Sequence, residues 1–308
     1  MTATLQASAP TLTPREHIPF EPQKKPLRPT RVLLHVFLGV MGIIWIFPIF
    51  WALFNSFRDY QYTSQNGYLS LGGWTFANYT NAWQQGDFTQ HFWNSFIITV
   101  PSVLAALFLA SCVAFVVSRF SFKFNLALLG MFTAANLLPQ QSLLIPLYQA
   151  FRVIPLPSFM SDSGHLLNSY WALILVNTAF QTGFCAFVLS NYMKTLPEEM
   201  FEAARVDGAS VLRQFWTITL PLCRPPLAAL ATLEVIWIYN EFFWATVLVQ
   251  RGDMYPITSS INNLKGQFFT DYNLLSAGSV IIAIPTLAIF FALQRQFVSG
   301  LTLGASKG

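Results

Sequence analysis

Two carboxylates lie in one long apolar stretch in the last third of the chain. Glu234 and Glu241 are seven residues apart, so a continuous helix would place them on one face, with Asn240 beside Glu241. A carboxylate near the centre of a bilayer costs about 2.5–3.5 kcal/mol, and such groups normally face a bundle interior or an aqueous cavity. The pattern predicts either a polar path lined by Glu234, Asn240 and Glu241 or hydrogen bonds between helices, with one carboxyl protonated.

A second polar group surrounds a proline in another apolar stretch. Asn136, Gln140 and Gln141 flank Pro139, and a proline removes a backbone donor and frees a carbonyl group. A broken helix that carries amides could offer donors and acceptors to the hydroxyl groups of a solute. The same amides could instead satisfy the kink through neighbouring helices, so both interpretations stay open for Asn136 and Gln140.

The chain lacks the residue patterns of common catalytic sites. No cluster has the spacing of a metal site, and no Ser, His and Asp set indicates a nucleophile. The chain also lacks a Gly-x-x-x-x-Gly-Lys-Ser/Thr loop, so we do not expect it to hydrolyse ATP. Cys112, Cys185 and Cys223 are scattered and predict buried apolar side chains rather than disulfides. We therefore predict no enzyme activity, no metal and no cofactor in this chain.

Composition predicts the elements that carry these residues. Of the 308 residues, 54% are hydrophobic and 10% are charged, whereas a soluble domain carries about 25% charged residues. This composition is typical of an all-α, polytopic membrane protein. A span needs about 20 apolar residues, and six segments qualify. They are Leu33–Phe54, Phe92–Val117, Phe124–Tyr148, Tyr170–Met193, Leu227–Val249 and Leu274–Phe297.

The distribution of basic residues predicts the orientation of these spans. With the N-terminus in the cytoplasm, thirteen of the 17 Lys and Arg residues fall on the cytoplasmic side and four outside. Because basic residues concentrate in cytoplasmic loops, we predict that both termini are cytoplasmic. The net charge of +4 follows from this topology and does not indicate nucleic-acid binding.

The N-terminal residues 1–30 differ in composition from the rest of the chain. They hold six prolines and lack the apolar run that a cleavable signal peptide needs. We predict a disordered cytoplasmic tail over residues 1–30, followed by one membrane domain over residues 31–308.

The link between the fourth and fifth predicted spans, about residues 195–221, is long and amphipathic. Pro197 followed by two glutamates predicts a helix start, because proline and carboxylates are both favourable in the first turn. Gly208 permits a sharp break, Ser210 can cap a second helix, and Leu220-Pro221 should end it. We expect two short helices along the membrane that present small residues outward, either to another protein or to no partner.

The same link contains Glu-Ala-Ala, three residues, Gly, nine residues and Ile-x-Leu-Pro. This pattern resembles the signature loop of the permease subunits of ABC importers. The matching positions are Glu202, Ala203, Ala204, Gly208, Ile218, Leu220 and Pro221.

Three further stretches resemble carbohydrate importers of the maltose-transporter type, specifically the smaller of the two permease subunits. They are Asn94-Ser95-Phe96, the Tyr239-Asn240-Glu241-Phe242 stretch, which has Tyr where that group has Trp, and residues 294–308. The resemblance covers about residues 30–308.

The resemblance implies a division of labour among several chains. The matched loop would act as a coupling helix pair that docks into a cytoplasmic ATPase subunit. Two such subunits would bind ATP and Mg²⁺. The C-terminal tail of this chain would also contact the ATPase subunits, through Gly304, Ala305, Ser306 and Lys307. A second homologous permease and an external binding protein would complete an importer that carries a sugar or oligosaccharide across the cell membrane.

Two other functions stay open at the level of the sequence. An importer of the same type could carry an amino acid, a peptide or a polyamine, although the C-terminal and Asn-Glu-Phe motifs argue against such a cargo. A stand-alone transporter driven by an ion gradient could use Glu234 and Glu241 to carry protons. That function would leave the long link at residues 195–221 without a purpose.

Overall fold

The structure is a computed structural model that describes residues 29–121, 123–266 and 269–302. Within these ranges the chain forms helices and no β-strand, as the sequence predicts. The first α-helices are α1 (Pro29–Ser56), α2 (Tyr60–Asn66), α3 (Ala77–Gln85), α4 (Phe88–Arg119), α5 (Asn125–Leu137), α6 (Leu144–Val153) and α7 (Tyr170–Met193). They are followed by α8 (Glu198–Val206), α9 (Val211–Gln214), α10 (Leu220–Leu222), α11 (Arg224–Tyr239), α12 (Phe243–Leu248), α13 (Ile257–Ser260) and α14 (Tyr272–Thr302).

Contacts divide the chain into two units. Residues up to Pro48 form one unit, and residues from Ile49 onward form the other. Helix α1 begins at Pro29, inside the predicted tail, while residues 1–28 lie outside the described part of the chain. Between Val32 and Phe50 the large apolar side chains of α1 are mostly exposed, which suits a helix that is surrounded by lipid or by another apolar chain.

Within the described ranges, four helices are long and apolar enough to cross a membrane. They are α1, α4, α7 and the part of α14 from Tyr272 to Ala292. The number rises to five if Val211–Leu222 and Arg224–Tyr239, which meet at a bend of 73°, count as one broken span. These helices coincide with the first, second, fourth and sixth predicted spans, and α11 lies in the fifth.

The third predicted span is interrupted in the structure. Helix α5 ends at Leu137, a 3₁₀ turn runs over Gln140–Leu143, and α6 follows directly. The helix breaks at Pro139 because proline lacks the backbone donor that a continuing helix needs. Pro146 interrupts nothing, since it lies in the first turn of α6, where the missing donor has no acceptor to lose.

The fifth predicted span also ends early. Helix α11 stops at Tyr239 and α12 begins only at Phe243. The side chain of Asn240 donates to the carbonyl of Ile236 at 2.7 Å, so it competes with the backbone for a helical acceptor. The expectation that Glu234 and Glu241 share one helical face is therefore wrong, because Glu241 lies beyond the end of α11.

Helices α4 and α7 form the centre of the bundle and run in the same direction. Near their N-terminal ends the hydroxyl of Tyr170 donates to the Asn94 side chain at 2.7 Å. Near their C-terminal ends Arg119 donates to the carbonyl of Met193 at 2.7 Å. Small buried residues let the two helices approach closely between these points, as is common in membrane bundles. They include Ala106, Ala110 and Ala114 of α4 and Ala186 of α7.

The segment between α7 and α11 closes one end of this bundle. Phe201 of α8 and Phe215 lie in the same buried cluster as Phe115 of α4 and Leu189 of α7. A second cluster, built around Leu173, Trp244 and Leu248, lies nearer the N-terminal ends of α4 and α7. The bundle therefore has an apolar core at both ends, and the amphipathic segment is part of one of them.

Candidate functional site

The helix pair between α7 and α11 has the local structure that its sequence predicts. Helix α8 begins directly after Pro197, and the Ser210 hydroxyl accepts from the Arg213 backbone at 3.3 Å to cap α9. Gly208 has φ of +76°, and a Cβ placed there would meet no atom within 4 Å. The break therefore needs glycine for its backbone conformation rather than for space.

The seven signature residues divide into an exposed set and a partly buried set. Glu202, Ala203, Gly208 and Pro221 are exposed, and Ala204 is half-buried. The half-buried side chains Ile218 and Leu220 pack against the cluster that contains Phe201 and Phe215. One part of the signature thus anchors the segment, and the other leaves a shallow surface of small residues open.

The second helix of the pair differs from its prediction beyond Gln214. A wider π-helical turn runs over Phe215–Thr219, where the Thr219 hydroxyl donates to the Gln214 carbonyl at 3.2 Å. The helix then continues as α10 and ends at Leu222, one residue beyond the predicted end at Leu220-Pro221.

Glu234 is fully buried and joins two helices of the bundle. The Cys185 thiol of α7 donates to Glu234 Oε1 of α11 at 3.1 Å. The other carboxylate oxygen, Oε2, has no hydrogen-bond partner within the described residues. This contact matches the interpretation in which Glu234 forms a hydrogen bond between helices.

Glu241 caps the short helix α12. Its carboxylate accepts from the backbone of Trp244 at 2.7 Å and of Ala245 at 3.2 Å, so it satisfies two donors that a helix start leaves free. Asn240 is exposed, and its amide also lies 3.4 Å from the hydroxyl of Thr286 on α14. Of the residues predicted for a polar path, Asn240 presents the most accessible side chain on this part of the bundle.

The other predicted path residues lie on the interrupted third span. Gln140 is exposed and begins the 3₁₀ turn, while the backbone of Asn136 lies in α5 and its side chain is outside the described residues. A cavity of about 420 Å³ lies beside this turn. Its lining is apolar and includes Leu138, Leu143, Leu147, Val176 and Phe180. The described hydrogen bonds do not join Gln140 to Glu234 or Glu241, and Gly304 to Lys307 lie outside the described residues.

Comparison with known proteins shows to which family this chain belongs. Residues 95–302 match the family model described as the binding-protein-dependent transport system inner membrane component. The chain belongs to this family. The match covers the bundle from α4 onward together with the whole helix pair, so the chain is a multi-pass membrane component of a transport system rather than an enzyme. The assignment made from the signature residues is confirmed.

Individual relatives of this permease family agree with the assignment. A probable ABC transporter permease of Pyrococcus horikoshii is 31% identical, over 85% of this chain and 92% of its own length. The diacetylchitobiose uptake system permease of Streptomyces coelicolor is 28% identical, over 89% and 88%. A chain of a bacterial ABC transporter that imports the polysaccharide alginate superposes with a TM-score of 0.72 at 20% identity, over 87% of this chain and 96% of its own, which shows a shared fold.

The structure explains the Asn-Ser motif at the start of α4, to which the sequence assigned no role. The buried Asn94 side chain donates to the carbonyls of Asp253 at 2.7 Å and Tyr255 at 2.9 Å. The Ser95 hydroxyl accepts from the Ile257 backbone at 2.8 Å. The motif therefore clamps the segment between α12 and α13 onto α4, and Ser95 satisfies the backbone donor of the buried Ile257.

An ionic network extends from the clamped segment, and local sequence patterns do not reveal it. Arg251 pairs with Asp253 at 2.6 Å and with Asp162, which lies between α6 and α7. The hydrogen bond from Arg251 lowers the pKa of the Asp253 carboxyl, and hydrogen bonds to Asp253 and then Asp162 raise the pKa of Arg251. The Asn168 side chain also accepts from the Gln250 backbone at 2.9 Å, so two connections at this end of the bundle are held together.

Proposed function

We propose that this chain is a permease subunit of an ATP-driven ABC importer of a sugar or oligosaccharide. The observation that carries the proposal is the exposed signature surface of Glu202, Ala203 and Gly208 on a helix pair whose other side is built into the bundle core. An isolated membrane helix pair has no need for such a surface. A docking element must be packed against its own protein on one side and accessible to its partner on the other.

The proposed partner of this surface is a cytoplasmic ATPase subunit. The small side chains let another protein approach the backbone of α8 closely, and the flanking Val206 and Leu212 are 88% and 68% exposed. Exposed apolar side chains beside a shallow surface are typical of a protein interface. Two ATPase subunits would bind ATP and Mg²⁺ for the complex, and a second homologous permease and an external binding protein would complete it.

The same proposal includes six membrane crossings with both termini in the cytoplasm. Because α4 and α7 run in the same direction, the chain between them has to return along the bundle. The interrupted span α5–α6 supplies that return, and α11 with α12 supplies the corresponding return between α7 and α14. The basic residues near the helix pair, such as Lys194, Arg205 and Arg213, then face the cytoplasm, as the charge rule requires.

A sugar cargo is supported by motifs and by a relative. One similar permease is named for diacetylchitobiose uptake, and the Asn94-Ser95 and Asn240-Glu241 motifs resemble those of carbohydrate importers. A neutral, hydroxyl-rich cargo suits a path with amides and few charges. We assign that path to the predicted residues Asn136, Gln140, Glu234, Asn240 and Glu241, of which Gln140 and Asn240 have exposed side chains.

Capture of the ATPase by the tagged chain, together with uptake in cells, tests the proposal. Combining Glu202→Arg with Gly208→Pro reverses an exposed charge and removes the backbone donor to Arg205. We expect this double variant to insert normally but to lose at least tenfold of both ATPase capture and uptake of labelled diacetylchitobiose, raffinose or maltose. The control Phe159→Arg changes an 86% exposed side chain between α6 and α7 and should leave ATPase capture unchanged.

The outcomes separate the competing functions. Normal uptake by the double variant would contradict the coupling role. Uptake of labelled amino acids or polyamines, but of none of the sugars, would retain the importer and change its cargo. Transport by the purified chain alone in liposomes without ATP would instead favour an ion-driven transporter.

A further inference from the structure

Arg119 ends α4 at the point where α4, α7 and α8 meet. Its side chain is only 7% exposed although it carries a full charge. It forms an ion pair with Glu198 of α8 at 2.8 Å and donates to the Met193 carbonyl at the end of α7 at 2.7 Å. Its guanidinium also lies 3.6 Å from the centre of the Phe201 ring. This side chain at the end of α4 therefore contacts the end of α7 and both the first turn and the buried face of α8.

These contacts use the properties that distinguish arginine from lysine. The planar guanidinium donates in two directions while its face stacks on an aromatic ring. A cation over a ring is attracted more strongly when it is partly desolvated than when it is exposed, and a charge-assisted hydrogen bond is stronger than a neutral one. Because Phe201 is 2% exposed, the stack also holds the apolar face of α8 in the core.

A second arginine near Glu198 provides an internal comparison. Arg205 lies 3.3 Å from Glu198 and 3.9 Å from Glu202, so both of its ion pairs stay within α8. Its side chain is 59% exposed. Arg205 can therefore stabilise the helix itself, whereas Arg119 connects the helix to the bundle.

We infer that Arg119 is a positioning residue that fixes α8 to the ends of α4 and α7, so that motion of a docked ATPase is transmitted to the bundle. The inference rests on the proposed coupling function. Phe201 is buried in the core, while its neighbours Glu202 and Ala203 are exposed. Arg119 therefore holds the buried face of α8 and leaves the signature surface on the opposite, exposed face.

The fixed position has a consequence for the affinity of the partner. A partner that binds only the correctly placed helix binds more weakly in proportion to the fraction of time that the helix is displaced. If Arg119→Met leaves α8 in place for about a tenth of the time, the dissociation constant rises about tenfold. Arg119→Lys keeps a charge for Glu198 but loses the planar stack, so its effect should be intermediate.

Hydrogen exchange on the permease complex in lipid nanodiscs tests this positioning directly. In Arg119→Met we expect the amides of residues 198–206 to exchange about tenfold faster while the central amides of α4 and α7 keep their wild-type rates. The matched control Arg205→Met removes a positive charge from α8 itself. It should leave the attachment of α8 to the bundle intact. Faster exchange throughout α4 and α7 would indicate a general structural role and would overturn the inference.

The dissociation constant of the ATPase gives a second measurement. The probe is the labelled ATPase subunit that co-purifies with the wild-type chain, titrated onto nanodiscs that hold each variant. We expect an order of weakening in which Arg119→Met exceeds Arg119→Lys, while Phe159→Arg, which is remote from the helix pair in sequence and exposed, equals wild type. Equal affinities for Arg119→Met and wild type would overturn the inference. A wild-type chain that captures no ATPase would contradict the proposed function instead, and the exchange measurement would still test the attachment of α8.

Discussion

Glu234 and Glu241 are the same residue type within one predicted span, yet the structure places their carboxylates in different surroundings. Glu234 is held between helices by the Cys185 thiol, and Glu241 caps α12 through two backbone donors. The difference arises because α11 ends at Tyr239, between the two residues. Residue type and spacing alone therefore do not determine whether a carboxylate within the membrane packs, caps a helix or faces a solute.

Substitution of Glu241 should affect stability through the cap. We expect Glu241→Ala to lower the free energy of unfolding by about 1 kcal/mol, the usual cost of losing a side-chain cap. Glu241→Gln should cost less, because its amide oxygen can still accept from Trp244. Thermal unfolding in detergent, followed by circular dichroism, measures both. Unchanged stability together with altered sugar uptake would instead indicate that Glu241 lines the path.

Substitution of Cys185 tests the contact inside the bundle. Cys185→Ala removes the described donor to Glu234 and leaves a buried carboxylate without it, which should cost about 1–3 kcal/mol. Cys185→Ser should retain most of the stability, since a hydroxyl can donate in the same place. Cys112→Ala is the control, because Cys112 is only partly buried and lies on α4 rather than on α7. Equal stability of the two alanine variants would show that the thiol contributes nothing to the bundle.

At the scale of elements, local chemistry predicts the helix pair better than it predicts the spans. Pro197, Ser210 and Gly208 each act on their own backbone, so the start of α8, the cap of α9 and the break between them follow from the sequence. Hydropathy averages over about 20 residues and cannot locate a break inside a span. Pro139 marks one such break, whereas the break at Asn240 has no proline to reveal it.

The break at Gly208 gives a prediction that separates conformation from space. A Cβ at this position would meet no neighbour within 4 Å, so any cost of substitution comes from the positive φ of +76°. Asparagine tolerates this conformation and valine does not. We expect Gly208→Asn to retain most ATPase capture and Gly208→Val to lose at least tenfold. Equal loss in both variants would mean that the docked partner needs the space itself.

At the scale of the whole molecule, the contacts that join distant segments are those that the sequence does not reveal. The Asn94 clamp on Asp253 and the pairing of Arg251 with Asp162 depend on which helix ends lie together. The sequence shows Asn94-Ser95 as a motif, but the backbone groups that Asn94 contacts are about 160 residues away. The parallel direction of α4 and α7 is a fact of the same kind, and it constrains the topology more strongly than hydropathy does.

Cysteine labelling in intact cells tests that topology, using a variant in which Cys112, Cys185 and Cys223 are replaced. Single cysteines would be introduced at Leu69, Phe159 and Val206, whose side chains are 80%, 86% and 88% exposed. We expect a membrane-impermeant thiol reagent to label the first two in intact cells and Val206 only after permeabilisation. Leu69 precedes α4 and Phe159 follows α6, so both lie outside only if the interrupted span α5–α6 crosses the membrane.

A re-entrant α5–α6 would give a different labelling pattern. Phe159 would then lie on the same side of the membrane as Lys123, and Val206 would lie on the opposite side. That arrangement would place Lys194, Arg205 and Arg213 outside, against the distribution of basic residues, and would also require α4 and α7 to run in opposite directions. The structure has them parallel, with Asn94 bonded to Tyr170 at one end and Arg119 to Met193 at the other. Labelling of Val206 in intact cells would therefore contradict the topology and, with it, the cytoplasmic docking of the helix pair.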